Sequence, residues 1–104
     1  MKTITMMAAI AVGVMAAGAA EAQDAAAGEA LYQSVCKNCH GPTAKGMASY
    51  PRLSDKSVEY LTDRLERYRA GEKIGFNSPL MIPHAKPLSD EDIANLSVYI
   101  TSLK

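Results

Sequence analysis

The segment Cys36-Lys37-Asn38-Cys39-His40 puts two thiols three residues apart and an imidazole directly behind the second. On a turn of helix that spacing presents both sulfurs on one side. There each can form a thioether with a vinyl group of a haem, and the adjacent imidazole reaches the iron as an axial ligand. Three other chemistries compete for such a motif. A redox-active C-x-x-C belongs in a βαβ setting, and no stretch of this chain alternates apolar and polar residues in the strand manner. A tetrahedral zinc site takes four ligands, and outside the motif only His84 is a typical zinc-binding His or Cys. A bare local disulfide leaves a small core and a long loop unexplained. One covalent haem c, joined through Cys36 and Cys39 and ligated by His40, is the reading that accounts for all of them.

The second axial ligand follows from counting methionines. Four of the six (Met1, Met6, Met7 and Met15) lie in the N-terminal segment, leaving Met47 and Met81. Met47 follows His40 by seven residues, in a loop that has yet to leave the proximal side. Met81 lies 41 residues on, with a helix between to carry the chain round the haem. Met81 is therefore the expected ligand, against the ordinary role of a loop methionine as gap-filler. His84 is the rival, because haem is also held by two histidines.

Three helices must position these groups. The first runs from about Ala25 to Val35, with Asp24 as N-cap and Leu31, Tyr32 and Val35 on one side. Gly28 inside it costs about 1 kcal/mol against alanine, which hints at close approach by another backbone, with an incidental surface glycine as the equal alternative. The second spans about Asp55–Ala70, capped by Ser54 or Asp55 and ended by Gly71. Val58, Leu61, Leu65 and Tyr68 recur at helical spacing in it, with Asp63–Arg67 a favourable i,i+4 pair. The third is capped by Ser89. Asp90, Glu91 and Asp92 suit its positive end, and Ile93, Leu96, Ile100 and Leu103 form one stripe to Lys104. The class is all-α. Between helices, Gly41–Leu53 carries Pro42, Gly46 and Pro51. Gly71–Leu88 carries Pro79, Pro83 and Pro87 and reads as an 18-residue loop, long enough to demand a job.

Residues 1–22 read as a cleaved secretory signal. Lys2 precedes an uncharged apolar run from Ile4 to Ala17, and Ala20-Glu21-Ala22 supplies the small residues of a cleavage site. Ile4–Ala20 is alanine-rich, broken by Gly13 and Gly18, and shorter than the about 20 strongly apolar residues a spanning helix wants, so no stable membrane anchor is expected. The domain is then residues 23–104. These 82 residues hold 34 hydrophobic ones, nine of them alanine, with no tryptophan. A core that thin needs a staple, and two cysteines exclude a multi-bridge scaffold. A formal charge of zero disfavours nucleic acid as partner. Haem c is attached outside the bacterial cytoplasm, so the motif and the signal agree on the periplasm.

The whole of residues 23–104 resembles a class I c-type cytochrome, close to the short monohaem bacterial forms and to single domains of dihaem bacterial cytochromes c. Four stretches carry the resemblance. Ala27-Gly28-Glu29-Ala30-Leu31-Tyr32 leads into the haem motif, and Tyr50-Pro51-Arg52-Leu53 is similar to the turn after it. Tyr60-Leu61 through Arg69-Ala70-Gly71-Glu72 is similar to the middle helix. Met81-Ile82-Pro83-His84-Ala85 with Leu88-Ser89-Asp90-Glu91-Asp92-Ile93-Ala94 is similar to the ligand-methionine loop and last helix. The resemblance implies a cytochrome c fold of three main helices whose long loops wrap one covalent haem. It places Gly28 and Tyr32 against the last helix near Leu96 and Tyr99, the Pro51 carbonyl on His40 Nδ1–H, Leu53 against the haem and His84 near the haem edge or surface. Tyr50 and Arg52 become candidates for the haem propionates. The tryptophan some relatives use there is absent from this chain.

Iron with His40 and Met81 on both faces has no open position for a substrate, so the expected task is electron transfer and not catalysis. The expected partners are redox proteins that donate and accept single electrons, with the carrier a monomer or weak oligomer. Lys37, Lys45, Lys73 and Lys86 could steer an acidic partner, although loop lysines are usually just solvated and the balanced charge allows no strong patch. The alternative is a cytochrome subunit of a periplasmic dehydrogenase complex acting on sulfur compounds or alcohols.

Overall fold

A computed structural model describes Thr3 and residues 23–104. The expected secretory signal lies outside the described residues. The elements are α1 (Ala25–Leu31), a wide π-helical turn (Tyr32–Cys36), α2 (Lys37–His40), α3 (Val58–Arg69), α4 (Ser78–Ala85) and α5 (Asp90–Thr101). No strand occurs among the described residues, only an isolated antiparallel bridge between Met47 and Tyr50. Among the described residues no helix is long and apolar enough to cross a membrane.

The frame is the crossing of α1 over α5. Asp24 caps α1 as expected, its carboxylate accepting from the N–H groups of Ala26 and Ala27, while its own N–H donates to Asn95 Oδ1 at 2.7 Å. A Cβ on Gly28 would stand 2.1 Å from the Asn95 carbonyl oxygen and 3.0 Å from Tyr99 Cβ, so the two helices meet backbone to backbone. One turn on, Tyr32 is fully buried and its ring lies 5.6 Å from that of Tyr99, tilted by 54°. Burial holds the Tyr32 phenol well above its ordinary range, and its O–H donates to the Gly41 carbonyl. Ile93, Leu96 and Ile100 form the buried face of α5, with Leu103 half-buried beyond them. The expected capping box is present: Ser89 Oγ accepts from Asp92 N–H, and Asp92 Oδ2 accepts from Ser89 N–H, each at 3.0 Å.

α3 packs on both α5 and α4. Thr62 Oγ1 and Ser97 Oγ share a hydrogen bond of 3.2 Å, and Arg69 reaches Asp90 at 2.8 Å and the Leu88 carbonyl at 3.2 Å, tying α3 to the start of α5. The cap of α3 is Ser57, whose Oγ accepts from Tyr60 N–H, and not Ser54 or Asp55. Ser54 is instead fully buried beneath the preceding loop. At the other end Gly71, at φ 86°, stops the helix as expected.

Two expectations about segment boundaries are corrected. The first helical stretch continues past Val35 to His40, through the π-helical turn. The segment 71–88 is not a structureless loop, because it contains α4, making a fourth substantial helix. Prolines argued against helix there. Pro79 falls in the first turn, where no N–H is required, and Pro83 sits near the end of an eight-residue element where few ladder bonds follow it. Ser78 hooks the start: buried, its Oγ accepts from the N–H groups of Ile74 and Gly75 at 2.9 and 2.8 Å.

Gly28→Ala improves helix propensity yet drives a methyl into the Asn95 carbonyl. The unfolding free energy should therefore fall by about 2 kcal/mol or more, checked by denaturant titration. A neutral or stabilising change would show that the crossing has room to spare.

Candidate functional site

A cavity of about 370 Å³ opens between α2, the loop that follows it, α3, α4 and the inner face of α5. The π-helical turn and α2 deliver Cys36, Cys39 and His40 to one wall. A widened turn of this kind adds a residue to the helix without breaking it, and such turns gather at functional sites. Cys36 and Cys39 are both unbridged and half-buried. Burial pushes the Cys36 thiol up to about 11, the opposite of what a disulfide exchanger needs.

The loop from Gly41 to Ser57 is held by its own backbone. The Ala44 carbonyl accepts from both Leu53 and Ser54, Gly46 N–H donates to the His40 carbonyl at 2.8 Å, and Met47 and Tyr50 exchange two hydrogen bonds. Gly46 has φ 84° and no space for a Cβ, which would stand 2.7 Å from the Tyr50 carbonyl oxygen. This folding brings the Pro51 carbonyl to 2.9 Å from His40 Nδ1. His40 is buried, and with Nδ1–H donating to Pro51 the ring keeps Nε2 free as a ligand.

Met81 enters from α4, one turn before His84 on the same helix, and both line the cavity. Met47 does not line it and is exposed. Tyr50, Pro51, Arg52 and Leu53 all line it from the loop, so the structure gathers all eight residues singled out from the sequence. Arg52 Nε donates to Ser54 Oγ at 3.0 Å.

The sequence reading missed Arg64. It lines the cavity between Leu61, Leu65 and Tyr68, and its Nε is buried without a hydrogen-bond partner in the protein. Its guanidinium lies 4.8 Å from the centre of the Tyr60 ring. The signal was available: positions 61, 64, 65 and 68 make one face of a helix, and Arg64 is the charged residue on an otherwise apolar stripe. A large cavity floored by Leu53, Leu61, Leu96 and Ile100, edged by two thiols and an imidazole, and carrying a half-buried arginine whose Nε–H has no acceptor in the protein fits a haem, which is a broad apolar plate with carboxylates at one edge.

The sequence profile of the cytochrome c family matches residues 25–104. The chain belongs to the cytochrome c family. It is an electron-transfer protein of that family and not an enzyme. This cytochrome is 45% identical over 82 residues to cytochrome c-554(548) of Halomonas halodenitrificans, covering 78% of this chain and 98% of that one. It is 38% identical over 91 residues to cytochrome c-554(547) of Halothiobacillus neapolitanus, covering 80% of this chain and all of that one. Cytochrome c4 of Thiocapsa roseopersicina is 33% identical over 97 residues, 83% of this cytochrome and half of its own length. The relatives support the class I resemblance, in which this cytochrome corresponds to one domain of a dihaem form. Family membership implies covalent haem c, and Cys36 and Cys39 are the cysteines available to carry it.

Because the cavity occupies the centre of a thin core, losing the haem should unfold much of the chain. A Cys36→Ala, Cys39→Ala chain expressed alongside the wild type should carry no covalent haem and show a clear loss of far-ultraviolet helix signal. A double variant with full helix content and a cooperative melt would mean that the protein closes its own core.

Proposed function

We propose that this cytochrome is a periplasmic shuttle of single electrons, with its haem joined to Cys36 and Cys39 and ligated by His40 and Met81. The observation that carries the reading is the convergence on one cavity of Cys36, Cys39 and His40 with a methionine 41 residues away on a separate helix. When bound, the haem supplies a one-electron iron couple whose potential is higher with methionine and histidine than with two histidines. The chain's own residues do the rest. Pro51 fixes the tautomer and direction of the His40 ring, so the ligand does not reorient as charge changes. α4 brings Met81 to the cavity on a helix anchored at Ser78. Leu53, Leu61, Leu96 and Ile100 line an apolar floor that limits water, and with it the reorganisation that slows transfer. Held by both His40 and Met81, the iron of a bound haem would have no open position for substrate, which supports transport over catalysis.

The periplasmic assignment rests on the signal-like residues 1–22 and on where haem c is attached. A free shuttle is favoured over a dehydrogenase subunit by the two short relatives, which this cytochrome matches over 98% and 100% of their length. Lys37, Lys45, Lys73 and Lys86 are all exposed and suit an acidic redox partner.

The wild type should take up one electron per haem reversibly and show, when oxidised, the weak red absorption band of methionine-ligated ferric haem. Met81→Ala should abolish that band, admit carbon monoxide to the reduced iron, and lower the potential by on the order of 100 mV. His84→Ala should leave the band in place. Loss of the band in His84→Ala and not in Met81→Ala would transfer the ligand role to His84.

A further inference from the structure

The face of α3 toward the cavity reads Leu61, Arg64, Leu65, Tyr68, and a permanently charged guanidinium stands among three apolar or aromatic neighbours. Arg64 Nε is buried and has no hydrogen-bond acceptor, and among the described residues no carboxylate pairs with Arg64. Two of the ion pairs of α3 leave Arg64 out: Asp63 pairs with Arg67, and Arg69 with Asp90. The Tyr60 ring holds the guanidinium in place at 4.8 Å, and the Lys56 ammonium lies 5.5 Å from the same ring. An unsatisfied buried N–H of a charged group costs more than that of a neutral one. A side chain so fixed and so exposed to penalty waits for an anionic acceptor that comes from the cavity. Arg52, the arginine expected in this role, already spends its Nε on Ser54.

We propose that Arg64 is the principal protein partner of a haem propionate, with its Nε–H donating to the carboxylate and its charge compensating it. Tyr60 is the positioning residue that holds the guanidinium. The inference rests on the haem reading above. It has an electrostatic consequence: the positive charge of Arg64 opposes the extra positive charge of ferric iron. Taking Arg64 away leaves the propionate uncompensated and favours the oxidised protein.

The test compares holoproteins of the wild type, Arg64→Gln and Arg64→Lys. Covalent haem is measured by the pyridine haemochrome assay, the ferric-to-ferrous ratio by spectroelectrochemistry at fixed ambient potential, and the propionate bending band by resonance Raman scattering. Arg64→Gln should bind haem and raise the ferric-to-ferrous ratio about three- to tenfold, tenfold being 59 mV, with the propionate band displaced. Arg64→Lys, which keeps the charge and lacks the Nε–H, should hold the ratio within about twofold of the wild type while the band still moves. Ratio and band both unchanged in haem-loaded Arg64→Gln overturn the proposal. If Arg64→Gln takes up no haem, Arg64→Lys decides, and an unmoved band in it overturns the proposal. A wild type without covalent haem defeats the underlying haem reading instead, so the two failures are told apart.

Discussion

The contact on which the rest of the molecule depends is the meeting of two backbones at Gly28 and Asn95. With no side chain at Gly28, α1 comes down onto α5 until only the Asn95 peptide separates them. That depth puts Tyr32 under Tyr99 and lets its phenol reach the Gly41 carbonyl. Gly41 ends α2, so its anchoring fixes where His40 stands and where the next loop begins. Asn95 serves twice, since its side chain also receives the Asp24 N–H and closes the start of α1. A single missing methyl thus sets the relation between α1 and α5 and the direction of the histidine that matters chemically.

The remaining walls follow from loops that behave like scaffolding. Ala44, at φ 58° and fully buried, turns its carbonyl inward to take two N–H donors. That pair aligns Leu53 and Ser54, and the Pro51 carbonyl falls opposite His40 as a result. The strain of a left-handed alanine is offset by two hydrogen bonds that organise one side of the cavity. α3 and α4 supply the opposite side.

Much of this was legible before the structure. The haem motif is contiguous, so its chemistry is written in five adjacent letters. Ser89 with Asp92, and the stripe through Ile100, are local patterns whose physics stays within one helix. Gly28 by itself was only a hint of close approach, and it took the family resemblance to set it against the last helix. What escaped depends on neighbours distant in sequence. α4 was hidden because Pro79 and Pro83 argue against helix, while the hook that starts it is a serine side chain binding backbone outside the element. Ser57 displaced Ser54 as a cap because burial of Ser54 under the loop is a tertiary event. Arg64 is a different case: its place on the apolar face with Leu61, Leu65 and Tyr68 is a local pattern, and what lay out of reach was that this face lines the cavity.

The two prolines of α4 have an effect on time as well as shape. Neither has an N–H to give, and no side chain caps the helix start, so α4 holds itself together with few hydrogen bonds and relies on α3 and Ser78. Elements with so little internal bonding are the ones that open alone, without the rest of the fold following. The same prolines narrow what the opened segment can become, which lowers the entropy gained by leaving and hastens return. The sulfur facing the cavity therefore rides on a helix held largely by groups outside it, whereas the imidazole facing it is held by a backbone carbonyl of the adjoining loop.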